Sequence, residues 1–186
     1  GRHFNFREHH EPDGTDLDPL VRALGALEGA GSDPLLFKNN ILSFVLPDLA
    51  RALPTARFLW VRRSPLEVAD SIWRTRVRFY GDPLTWWSLR PRTAQEEVPP
   101  ADQIAHQVAR TEEALQGLRG TVGERFAEIE YEELCGETAV ALRAAEGLVD
   151  GKLDGGTVPA SFPPSVARAD DTVRRQLTEA LRRAGF

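Results

Sequence analysis

The stretch from Ala56 to Arg78, ARFLWVRRSPLEVADSIWRTRVR, decides how this chain is read. Phe58 to Val61 is a short, wholly apolar run of the kind a buried parallel strand needs. Two arginines, Arg62 and Arg63, end it. Ser64-Pro65-Leu66-Glu67 then carries the signals of a helix start: serine as N-cap, proline at the first helical position, glutamate three residues past the cap. Leu66, Ala69, Ile72 and Trp73 recur at helical spacing, so one face of that helix is expected to be buried. Strand, cationic turn and helix start together predict an anion site at the carboxyl edge of a sheet, where free helix N–H groups stand beside a guanidinium. Ser71 falls on nearly the same side as Ser64, two turns along, and offers a hydroxyl to whatever Arg63 holds.

The composition bounds the rest. The 186 residues make one ordinary domain with room for a real core, and 41% hydrophobic with 27% charged residues is the balance of a globular protein. No apolar run approaches the length that spans a bilayer and no signal-peptide pattern opens the chain, so no membrane partner is expected. Cys135 is the only cysteine, which excludes an intrachain disulfide and fits a cytoplasmic setting without demanding it. A net charge of −5 argues against nucleic acid as a partner. Between Arg57 and Arg92, however, eight arginines face only Glu67, Asp70 and Asp82. A positive field inside an acidic protein suits a small polyanion. For Arg74, Arg76 and Arg78 the alternative is a solvated surface position.

Arg63-x-Pro65 followed by Ser71 resembles the element with which sulfotransferases grip the 3′-phosphate of the sulfuryl donor PAPS. The approach to it, LPTARFLWVR from Leu53 to Arg62, is similar to theirs. Upstream, Pro34 to Phe37 reads as a second short buried strand ending at Lys38-Asn39-Asn40. Lysine occurs only at Lys38 and Lys152 against 21 arginines, so Lys38 at a strand end marks a place where a compact ammonium is wanted. The resemblance implies that Lys38 stands near the donor sulfate, and Asn40 falls where some members have a histidine. That departure moves the expected base to the cluster Phe4-Asn5-Phe6-Arg7-Glu8-His9-His10. By order in the chain, Glu8 resembles the general-base glutamate of the tyrosylprotein-type enzymes. His9 and His10 are its rivals, since a neutral imidazole can do the same work near pH 7. Adjacent histidines with no further ligand pattern do not make a metal site, and none is expected.

The remaining elements follow the same likeness. Helices are expected at Asp18 to Ala30, Leu46 to Leu53, Ala101 to Leu118, near residues 137–148 and at Asp170 to Ala184, with a strand from Phe126 to Ile129. Glu130-Tyr131-Glu132-Glu133-Leu134 resembles the segment after that strand in sulfotransferases and is mainly architectural. Trp86-Trp87 in a loop reads either as a wall of an acceptor pocket or as a plug over the core. The loop from Asp150 to Pro164 is long enough to be functional, and a late loop covers the donor in the family, which makes Ser161, Ser165 and Arg168 candidates for contact with it.

The expectation is therefore an α/β fold, a P-loop-NTPase-like parallel sheet flanked by helices, over one domain from residue 1 to 186. No GxxxxGK[ST] sequence or looser phosphate loop is present, so the N-terminal strand and phosphate loop of a bacterial-type sulfotransferase are expected either to precede Gly1 or to be missing from the domain. The resemblance implies transfer of a sulfuryl group from PAPS to a hydroxyl or amine of a small-molecule or peptide acceptor, leaving PAP. Two alternatives stand beside it: a kinase-like transferase for small molecules, and an inactive nucleotide-binding or scaffold domain. Nothing in the sequence reports the oligomeric state.

Overall fold

The computed structural model describes residues 9–11, 16–29, 35–94, 97–149, 158–165 and 167–186. In chain order these form β1 (His9–His10), α1 (Asp18–Gly29), a 3-10 turn at Ile41–Phe44, α2 (Leu46–Ala52), β2 (Phe58–Arg62), α3 (Pro65–Tyr80) and β3 (Leu89–Arg90). Then follow α4 (Pro100–Val122), β4 (Phe126–Glu130), α5 (Tyr131–Gly136), α6 (Ala139–Leu148) and α7 (Asp171–Arg183).

The expected strand–turn–helix unit is present. Phe58 to Arg62 pairs in parallel with Phe126 to Glu130, Phe58 opposite Phe126 and Arg62 opposite Glu130. Alternate residues of a strand point to opposite faces. Phe58 and Phe126 therefore share one face, where they pack against Ala50, Leu118 and Val122 of α2 and α4, while α6 packs against the same two strands. Val122 lies near the start of the strands and Glu112 near their end, so α4 runs antiparallel to them. A second core joins three helices: Ala69 and Ile72 of α3, Ile104, Ala105 and Val108 of α4, and Leu177, Ala180 and Leu181 of α7. The predicted stripe on α3 is the side that enters it. Gly81, at φ 70°, ends α3 in the left-handed conformation that glycine tolerates best.

Three expectations are corrected. The described strands form two separate two-stranded parallel ladders rather than one sheet, the second pairing His9 with Leu89 and His10 with Arg90. Leu35 to Phe37 is no strand: it is irregular and exposed, Leu36 at 95%. An apolar run becomes a strand only where a neighbour pairs its backbone, and none does so among the described residues. The capping box at Ser64 also fails to form. Ser64 holds the non-helical N-cap conformation and its carbonyl accepts from Val68 N–H at 3.0 Å, but its hydroxyl caps nothing. Glu67 is drawn instead to Arg174, which donates to it at 2.8 Å, while its other oxygen stands 3.7 Å from Arg63.

A working cap sits on α7, where Asp170 accepts from the N–H groups of Thr172 at 2.9 Å and Val173 at 3.0 Å. Asp170→Ala is expected to lower the unfolding free energy by about 1 kcal/mol, the scale of a lost N-cap. Urea denaturation with an unchanged m-value checks it, and a loss below a few tenths would mean solvent replaces the carboxylate.

Candidate functional site

Arg63 leaves β2 at the carboxyl edge of its ladder and opens the turn into α3. Its guanidinium stacks on Tyr131, 4.7 Å from the ring centroid, at the matching edge where β4 runs into α5. Its nearest carboxylate oxygen belongs to Glu67, at 3.7 Å, too far for a hydrogen bond. Its Nε is buried without an acceptor among the described residues. Beside it, the first-turn N–H groups of Leu66 and Glu67 have no partner there either, because Ser64 gives no side-chain cap. An unmatched buried cationic donor next to open helix amides has the chemistry to hold an anion. Ser71 is half-buried further along α3, its carbonyl accepting from Thr75 Oγ1 at 2.7 Å and its own hydroxyl unbonded among the described residues.

The late segment comes to this corner. Ser165 N–H donates to Tyr131 Oη at 3.2 Å, and Ala169 N–H donates to Asp70 Oδ1 at 2.9 Å. Arg168 lies between those two anchors, exposed and without a partner among the described residues. Ser161 is exposed at the other end of α5, flanked by Ala160, which accepts from Thr138, and Phe162, which donates to Cys135. The structure thus joins Ser165 and Arg168 to the surroundings of Arg63, and leaves Ser161 one helix length away. Lys38 is exposed in the irregular stretch, with no hydrogen bond or ion pair among the described residues. Glu8 lies outside the described residues. His9 and His10 belong by backbone to the other ladder, and Glu11 after them is held by Arg92 N–H at 3.0 Å and Arg110 at 2.9 Å.

Sequence reasoning missed the charged groups around Arg63. Asp70 is fully buried, with bonds from Arg74 Nε at 2.7 Å, Ala169 N–H and Arg174 Nη1 at 3.1 Å. Burial is the strongest influence on it and disfavours its charge, yet these bonds outweigh burial and hold the carboxyl below the usual aspartate range. Arg174 also donates to Glu67 Oε1 at 2.8 Å. The i,i+4 spacing of Asp70 and Arg74 was legible; the reach of Arg174 from the last helix was not.

Arg76 is likewise no surface solubiliser. It is completely buried, donating to Pro83 O, Gln103 Oε1 and Gln107 Oε1, each at 3.0 Å, and it stacks on Trp86 at 4.7 Å. Burial pulls its pKa down to about 10, against the opposing pull of Asp82. Trp86 resolves toward the plug: it is buried with Arg76 and Arg90 both stacked on its ring, and it lines a cavity of about 160 Å³ with Thr93 and His106.

Arg62 differs from its neighbour Arg63. It points across the α4 face into carboxylates: Glu128 at 3.4 Å, Glu112 at 3.9 Å and Glu130 at 4.0 Å. Burial pushes Glu112 above the usual carboxyl range against the pull of Arg62, with Glu128 and Glu130 adding to the rise. Among the described residues no cluster has the makings of a metal site. No helix described is long and apolar enough to cross a membrane.

No curated protein and no solved structure matches the chain. A family model does, over residues 7–146, and its description is the sulfotransferase family. That span contains β2, the Arg63 turn, α3 and its Ser71, and the β4–α5 edge that carries Tyr131. Family membership carries with it transferase chemistry, the movement of a sulfuryl group. On that match, which covers most of its length, this chain belongs to the sulfotransferase family.

Proposed function

We propose that the chain transfers a sulfuryl group from PAPS to a hydroxyl or amine of a small-molecule or peptide acceptor, giving PAP. One observation carries the reading: the buried, acceptor-less Nε of Arg63 beside the uncapped N-terminus of α3. Those groups suit a terminal phosphate, whose oxygens accept several N–H bonds at once. In this reading Arg63 and the hydroxyl of Ser71 hold the 3′-phosphate, and Arg168 closes on the donor from the late segment. Ser161 is the outermost member of the set. Lys38 neutralises the oxygen that departs as the sulfur–oxygen bond to PAP breaks. The acceptor oxygen or nitrogen forms the new bond to sulfur, and its proton passes to Glu8, or to His9 or His10 in its place.

The test is a thermal scan with PAP, with AMP and without ligand. At one hundred times its dissociation constant a ligand of the native state adds about 2.7 kcal/mol. For a domain of this size that raises the midpoint by about 5–10 °C. PAP is expected to do so and AMP to do much less. Equal stabilisation by the two would mean the 3′-phosphate is not read, and the donor assignment would fall.

A further inference from the structure

We propose that Arg174, on the last helix, is a positioning residue for Arg63: it holds Glu67 away from Arg63 and so leaves the Arg63 guanidinium open to an anion. The inference rests on the donor-binding reading above and deepens it. Arg174 grips two carboxylates with one fork, Nη2 to Glu67 Oε1 at 2.8 Å and Nη1 to Asp70 Oδ1 at 3.1 Å. Glu67 is thereby held by one oxygen, and its other oxygen stops 3.7 Å short of Arg63 Nη2. Without Arg174 the i,i+4 spacing of Arg63 and Glu67 lets the two close into an ordinary ion pair. That pair would cancel the charge of the site and occupy its donors.

The charges of the cluster agree with this role. Arg63, Arg74 and Arg174 face Glu67 and Asp70, a surplus of one positive charge. Arg74 and Arg174 each have a close hydrogen-bonded carboxylate, so the surplus falls on Arg63, the member with no hydrogen bond among the described residues. The anchor is firm. Asp70 is fully buried, and Ala169 N–H and Arg74 hold it in place while it holds Arg174.

The experiment titrates PAP into the full chain and into Arg174→Met, Glu67→Gln and the double variant. Arg174→Met is expected to weaken PAP binding by about tenfold or more, the scale of a charge-assisted hydrogen bond. The double variant is expected to recover to within about threefold of the parent, since no carboxylate remains to close on Arg63. Misplacement of α7 would not be repaired by a neutral substitution at Glu67, so failure to recover overturns the role. Glu67→Gln alone is expected to bind PAP at least as tightly as the parent; weaker binding overturns the role, and this variant decides if Arg174→Met does not fold. A second arm needs no nucleotide. In a crystal structure of ligand-free Arg174→Met, Glu67 is expected within hydrogen-bond distance of Arg63, and an unmoved Glu67 overturns the proposal. A parent that fails to tell PAP from AMP sinks the donor reading, and the crystallographic arm then decides the role of Arg174.

Discussion

Replacing Arg76 by methionine is expected to destabilise the fold by about 3–5 kcal/mol, the cost of removing one partner from a buried charged network. Methionine fills much of the same volume, so the loss is not mainly a cavity. Arg76 serves three acceptors on two separate stretches of chain: the Pro83 carbonyl after the helix stop, and Gln103 and Gln107 on α4. A thioether donates to none of them, and the amide oxygens of both glutamines would face an apolar side chain. The Trp86 ring also loses one of the two cations stacked on it. Urea denaturation of the variant checks the value. The companion is Arg76→Met with Gln103→Leu and Gln107→Leu, which removes most of the stranded acceptors and is expected to recover a large part of the loss. If Arg76→Met lies within about 1 kcal/mol of the parent, water reaches these groups and the network is not what holds the Trp86 loop.

That arginine shows where sequence reasoning ended. The strand at Phe58, the helix from Pro65, its stop at Gly81 and the strand at Phe126 are all written in signals spanning a few residues: an apolar run, a proline at the first turn, a glycine past the last. Such signals say that an element exists and are silent on what lies across from it. Arg76 reads as one more charge on a charged helix because Gln103 and Gln107 are 27 and 31 residues away. Glu67 fits the capping-box pattern, and the pattern lost to Arg174, 107 residues on. Leu35 to Phe37 has the composition of a buried strand and no partner among the described residues to bury it. The Arg63 turn was legible for the opposite reason. The arginine, the helix start and the serine lie within nine consecutive residues, so local geometry alone brings them together.

The sharpest test of that site compares two neighbouring arginines. Arg63→Ala is expected to weaken PAP binding by about 2–4 kcal/mol, the range for truncating one member of a desolvated charge pair. In affinity that is about 30- to 1,000-fold. Arg62→Ala removes the same charge one residue earlier and is expected to change PAP binding by less than about 0.5 kcal/mol at moderate salt, as for a charge remote from the ligand. The difference lies in what each side chain already touches. Arg62 is committed to Glu112, Glu128 and Glu130 on the α4 face, whereas Arg63 stacks on Tyr131 with a donor that has no acceptor. Ser71→Ala is expected to fall between them at about 1 kcal/mol, one neutral hydrogen bond. Calorimetric titration of PAP into the three variants gives the order. Equal losses at Arg62 and Arg63 would mean that PAP reads only the local positive field. Negligible loss at both Arg63 and Ser71 would reduce the turn to a helix start with no ligand. A large loss confined to Arg63, with Ser71 in second place, ties the phosphate to a guanidinium at the strand edge whose buried Nε has no acceptor among the described residues.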